Sequence, residues 1–321
     1  MKLFNKFSGL HEDFIHDVEY DFYGKRLATC SSDHKIKMWS AGPSGEWQCE
    51  AELEGHKGAV WKVAWAHPEF GQILASCSFD QNVCIWEEQD APLTVSSQSS
   101  VDSKNEETSR QGRWQQVAKL NDNQGSVTDI KFAPRHQGLS FAMCSADGYI
   151  RIYVAEDIMN LNNWTLSEKF QVGSKVNETT CLSWNPSRFD KPMLVVGGHG
   201  EIAKVWMRDD ERRQWRVQAE LIKHKGNIND VCWSPCLGRS YHLIATASSD
   251  TQIKIWRLSK SETGEVKVEC EAELSQETEV WRCAWNITGT ILATSGDDGA
   301  VRLWKKNFQG KYICISNLEK E

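Results

Sequence analysis

Residues 55–86 read GHKGAVWKVAWAHPEFGQILASCSFDQNVCIW. An alternating run, VWKVAW, leads through a turn to a second apolar run, ILASCS, and then through FDQN to a third run that ends on tryptophan. Period-two alternation cut by turns is the pattern of antiparallel strands. The closing tetrapeptide recurs along the chain: IKMW (36–39), VCIW (83–86), IRIY (150–153), AKVW (203–206), IKIW (253–256) and VRLW (301–304), with aromatic positions 47, 67, 53, 50 and 48 residues apart. A four-stranded unit repeated radially has this signature. The expectation is therefore an all-β propeller of six blades, at about 11–54, 55–120, 121–172, 173–221, 222–274 and 275–318, making 1–321 a single domain.

The repeats run without a composition break, so a length of 321 residues does not by itself divide the chain. Hydrophobic residues at 40%, charged residues at 25% and a mean hydropathy of -0.53 fit a soluble globular protein. No stretch approaches the roughly 20 apolar residues of a membrane span, and the N-terminal MKLFNKFS lacks the apolar centre of a signal peptide. A net charge of -7, with Lys and Arg spread through the repeats, leaves no footprint for direct nucleic-acid binding. Eleven cysteines is an odd count, and Cys30, Cys77, Cys84, Cys144, Cys181 and Cys283 fall inside expected strands, where a thiol serves as a small hydrophobe. That usage suits a reducing, intracellular compartment, in which the sequons at Asn163, Asn177 and Asn286 stay unused.

Within three repeats a histidine, a hydroxyl, an aspartate and a tryptophan recur at matching positions. They are His11, Thr29, Asp33 and Trp39 in blade one, His56, Ser76, Asp80 and Trp86 in blade two, and His224, Thr246, Asp250 and Trp256 in blade five. Chained together they would satisfy the indole N–H and fix the imidazole tautomer. Blade six keeps Thr294, Asp298 and Trp304 but has Gln276 for histidine, and blade three keeps Asp147 beside Asn123, Met143 and Tyr153, so both networks read as incomplete. Blade four has no aspartate in its turn, which leaves its register the weakest. A His–Ser–Asp set invites comparison with a catalytic triad, but an active site occurs once and this set occurs three times, each time ending on tryptophan. The expected role is structural, with no catalytic residue, cofactor or metal. Cys232 and Cys236 lack the second ligand pair that zinc requires.

Trp61 and Trp281 occupy equivalent places near the channel mouth and are candidate partner contacts, although packing between blades also uses large aromatics. Residues 88–112 are polar and Ser-rich, and are expected to form a mobile loop open to phosphorylation. Residues 156–164 are expected to make a short helical turn. At the C-terminus KYICISNL (311–318) already supplies a fourth strand to blade six, so Leu3-Phe-Asn-Lys-Phe7 is left over as a spare strand, with Leu3, Phe4 and Phe7 as further candidate contacts. Two readings stand side by side: a spare strand of an unfinished seventh blade that a partner completes by strand donation, or an end that frays across a self-closed ring.

HEDFIHDVEYDFYGKRLATCSSD (11–33), VWKVAWAHPEFGQILASCSFD (60–80), FAPRHQGL (132–139), DIMNLNNW (157–164) and WNITGTILATSGDDG (285–299) resemble the Seh family of nucleoporins, WD-repeat proteins related to the Sec-thirteen coat subunit. The likeness spans nearly the whole chain except the 88–112 loop and the blade-four turn. It implies an open six-bladed WD-repeat β-propeller completed by a seventh blade donated by an α-helical scaffold nucleoporin, in contact with other nucleoporins of the Y-shaped outer-ring complex. It also implies membership of the GATOR/SEA complex, which signals amino-acid sufficiency to TOR. The implied locations are the nuclear envelope and pore, the cytoplasm and the lysosomal or vacuolar surface, and the kinetochore in mitosis. Residues 3–7 and the facing sides of blades one and six are the implied insertion site. The alternative is a self-closed platform that binds short peptide motifs at its channel mouth.

Overall fold

A computed structural model describes residues 10–42, 45–89, 113–172, 179–260 and 266–318. The expected spare strand 3–7, with Leu3, Phe4 and Phe7, lies outside the described residues, as does the expected loop beyond residue 89; Glu88 and Gln89 are the last residues of a strand.

The strands form six four-stranded antiparallel sheets, each ordered as in sequence. Blade one comprises β1 (Ile15–Tyr20), β2 (Arg26–Ser31), β3 (Lys35–Ala41) and β4 (Trp47–Glu54); blade two β5 (Val60–Trp65), β6 (Ile73–Ser78), β7 (Val83–Gln89) and β8 (Arg113–Leu120). Blade three holds β9 (Val127–Phe132), β10 (Ser140–Ser145), β11 (Tyr149–Ala155) and β12 (Trp164–Gln171), and blade four β13 (Thr179–Trp184), β14 (Met193–Gly198), β15 (Ile202–Asp209) and β16 (Gln214–Ile222). Blade five is β17 (Ile228–Trp233), β18 (His242–Ser248), β19 (Gln252–Lys260) and β20 (Val266–Ser275); blade six is β21 (Val280–Trp285), β22 (Ile291–Gly296), β23 (Val301–Lys306) and β24 (Tyr312–Leu318). The all-β propeller of six blades is thus as read from the sequence. Residues 156–164 differ from expectation: turns at 158–159 and 161–162 lead directly into β12 at Trp164, with Asp157 and Asn160 side chains accepting the Met159 and Asn162 N–H groups and Leu161 buried.

Short side chains competing for nearby backbone N–H groups set the turn between the second and third strands. Asp33, Asp80, Asp147, Asp250 and Asp298 each accept the N–H two residues on, an Asx turn, and the intervening residue takes a left-handed φ of 67–78°. Blade four lacks the aspartate. Gly200 stands in its place, six residues before Trp206 and at a φ of 157°; three residues earlier, on β14, an added Cβ at Gly197 would lie 2.7 Å from Ile228 Cγ2 and 2.9 Å from Cys181 Sγ, so close packing on blade five dictates that glycine.

Every innermost strand carries a β-bulge, at His16, Trp61, Thr128, Thr180, Asn229 and Trp281. A bulge re-aims its side chain out of the ladder. Here it aims at the next blade: Thr128 donates to Thr179 O (2.7 Å), Thr180 to Ile228 O (2.8 Å) and Asn229 to Val280 O (2.9 Å), while Trp61 stacks on His16 of the preceding blade with centroids 5.6 Å apart.

Among the described residues the buried apolar side chains fall into five clusters, each shared by two successive blades: one and two, two and three, three and four, four and five, and five and six. Val18 of β1 is 51% exposed, whereas its equivalents Val63, Ile130, Leu182, Val231 and Cys283 are all at 6% or less. On the facing blade Val301 is 37% exposed, against 0% for Ile36, Val83, Ile150, Ala203 and Ile253.

Candidate functional site

In blade five the Trp256 indole N–H donates to Thr246 Oγ1 (2.9 Å), the hydroxyl meets His224 Nε2 at 2.7 Å, and His224 Nδ1 lies 2.9 Å from Asp250 Oδ2. Burial holds the His224 pKa below its ordinary value against the pull of Asp250, so the ring is neutral, with Nδ1–H donating and Nε2 accepting. Burial alone would raise the Asp250 carboxyl, but the Lys225 N–H and His224 outweigh it and hold it low. The same chain joins His11, Thr29, Asp33 and Trp39 at 2.8–2.9 Å, and His56, Ser76, Asp80 and Trp86 at 2.8–3.3 Å. Each hydroxyl is buried and already engaged by both an imidazole and an indole. A nucleophile needs a substrate beside it, and nothing reaches these.

Blade six corrects the expectation of an incomplete network. Gln276 Nε2 donates to Thr294 Oγ1 (2.6 Å), which also accepts the Trp304 indole N–H (3.0 Å), and Arg302 bridges Gln276 Oε1 (3.2 Å) to Asp298 Oδ2 (2.5 Å). Glutamine with arginine thus spans the gap that histidine spans elsewhere. Blade three, with Met143 at the hydroxyl position, has two separate pairs instead: Arg151, fully buried, forks onto Asp147, and Tyr153 Oη donates to Asp122 (2.9 Å). Sequence inspection missed both arginines, although each lies four residues after its aspartate, a spacing that would have found them. Blade four has neither arrangement among the described residues. Val196 stands where Thr246 stands in blade five, and the buried Trp206 Nε1 has no partner among the described residues.

Around the axis, the third residues of the innermost strands include Asp17, Lys62, Asp129, Asp230 and Arg282. Asp17, Lys62, Asp230 and Arg282, joined by Lys131, line a cavity of about 560 Å³. Asp17, Asp129 and Asp230 each accept a backbone N–H of the next blade, from Val63 (3.3 Å), Leu182 (2.9 Å) and Cys283 (2.9 Å). Glu19 is half-buried, and burial pushes its carboxyl up to about 7. Cys232 lies 3.1 Å from Cys283 across blades five and six, and its nearest sulfur neighbour is therefore in the next blade.

The seam between blades six and one differs from the other five junctions. Its described contacts include a 3.4 Å hydrogen bond from Arg282 to His16 O, and its apolar faces, Ile15 and Val18 on one side and Val301 on the other, lie exposed. The two candidate tryptophans separate here. Trp61 is partly covered by His16, whereas Trp281, 48% exposed, borders the seam.

A family model described as "WD domain, G-beta repeat" matches residues 4–40, 47–87, 114–153, 215–257 and 268–305. It leaves out 154–214, a span that includes the first three strands of blade four, where the buried Trp206 indole has no hydrogen-bonded chain behind it. Fold and repeated networks together define a WD-repeat propeller. Nucleoporin SEH1 of Xenopus tropicalis is 42% identical over 325 residues, covering 96% of this chain and 86% of the relative; those of Danio rerio and Homo sapiens are likewise 42% identical, with 96% of this chain and 85% and 86% of the relative covered. The chain belongs to the nucleoporin SEH1 family.

Proposed function

We propose that this chain is a non-enzymatic scaffold subunit of the nuclear pore, seated in its Y-shaped outer-ring complex, and that the seam between blades six and one accepts an insertion blade from an α-helical nucleoporin. The observation that carries this is the exposure of Val18, Ile15 and Val301 at positions buried at the other blade junctions. Fully burying each such side chain is worth about 1.5–3 kcal/mol, which gives a donated blade an apolar driving force beside its main-chain pairing. Trp281 at the rim extends the same surface. Its function is assembly, with no bond made or broken: the His–hydroxyl–Asp sets are spent on indoles.

The same seam would serve a second helical partner in the GATOR/SEA complex, and with it a place at the lysosomal or vacuolar surface as well as at the nuclear envelope, in the cytoplasm and at the mitotic kinetochore. A self-closed platform that binds peptides at the channel mouth is favoured only by the exposure of Trp281. Hydrogen exchange over residues 14–20 and 291–305, on the chain alone and co-expressed with a helical nucleoporin, separates the two. Protection in both segments that needs the partner is expected; full protection without it leaves the platform.

A further inference from the structure

Away from the seam, blades four and five enclose a cleft of about 530 Å³ on their outer side. That volume lies within the range of small-ligand sites. Its floor is apolar, from Met193, Val205, Met207, Leu258 and Val266. At its wall His242 presents Nε2 to Asp190 Oδ2 at 3.3 Å, and Asp190 Oδ1 takes Lys260 Nζ at 3.0 Å. Facing a carboxylate, Nε2 carries the proton, which leaves a lone pair on Nδ1. That atom is buried and has no partner among the described residues. Burial keeps the ring neutral, lowering its pKa despite Asp190. A buried acceptor without a donor costs about 1–3 kcal/mol, a cost that an incoming N–H removes.

The charge of the rim says more. On a chain of net charge -7, the cleft is lined by Lys191, Arg239 and Lys260 against the single carboxylate of Asp190. Lys191 meets Asp210 only at 3.8 Å on an exposed surface, a pairing worth little. Arg239 donates to Ser234 Oγ and Pro235 O, neutral acceptors that leave its charge uncompensated.

We propose that this cleft binds an extended partner peptide that seats one large apolar side chain on the Met193–Val205–Met207 floor, offers a backbone N–H to His242, and carries flanking Asp or Glu residues toward Lys191, Arg239 and Lys260. The site is separate from the seam, so a chain already seated in a scaffold retains it.

The test pans phage-displayed random dodecapeptides against the full chain, then measures the selected peptides, fluorescein-labelled, on the chain and on two variants. Met207→Trp fills the cleft, and Lys260→Glu reverses its rim at a side chain that is 65% exposed and so leaves folding intact. The expected result is a consensus of one large apolar residue flanked by acids, with affinity falling at least about tenfold on each variant while the urea midpoint holds. If Met207→Trp lowers the midpoint, Lys260→Glu decides alone. The absence of such a consensus, or equal binding by Lys260→Glu, overturns the proposal. Concentration-dependent dimerisation lost in Met207→Trp overturns it as well, by assigning the cleft to a second copy of the chain.

Discussion

The indole N–H groups carry the first residue-scale prediction. Trp256 has a hydrogen-bonded chain behind it and Trp206 does not, though both are buried at equivalent places. Trp256→Phe should therefore destabilise the chain by roughly 1–2 kcal/mol more than Trp206→Phe, since it alone takes a donor away from the buried Thr246 hydroxyl; urea midpoints of the two variants decide. Thr251, β-branched with φ of 67°, sits in a conformation that costs about 1–2 kcal/mol. Thr251→Gly should raise the midpoint, and a lower midpoint would mean that the threonine side chain matters more than its backbone strain. Glu19 gives a pH signature. Its folded pKa of about 7 exceeds the unfolded 4.5, so its contribution is full below pH 4.5 and is lost as pH rises through 7. Glu19→Gln should flatten that decline, gaining roughly 1–3 kcal/mol over wild type at pH 8.

At the scale of elements, the bulge on each innermost strand is what joins neighbouring blades. Thr180→Val keeps shape and removes the bond to Ile228 O, so it should cost about 1 kcal/mol and speed exchange where β13 meets β17, with β5 and β9 unaffected; uniform acceleration would argue against a local link. The alternation and the closing aromatics of the strands were legible in sequence because a half-buried strand must alternate. The histidine-centred networks were legible too, since the same four residue types return at the same offsets. Arg151 and Arg302 were overlooked, because an arginine on a strand looks like an ordinary exposed charge, and only their shared place four residues after an aspartate marked them. Blade four's missing aspartate marked an irregularity, but the packing that requires Gly197 on the strand before that turn comes from Ile228 and Cys181, distant in sequence.

For the whole molecule the contrast between equivalent valines is decisive. Val63→Glu buries an unpaired carboxylate between blades one and two and should cost at least about 3 kcal/mol. Val18→Glu should leave the isolated chain's midpoint within about 0.5 kcal/mol and abolish co-purification with a helical nucleoporin. A Val18→Glu chain as unstable as Val63→Glu would mean that the seam closes on itself. The sequence by itself determined the number of blades, their strand order and the polar chains that pin them, because each follows from short-range periodicity and from residue types at fixed offsets. Only the tertiary structure decided which apolar faces have neighbours. Val18 and Val63 read alike along the chain, and burial depends on what the ring brings opposite each of them.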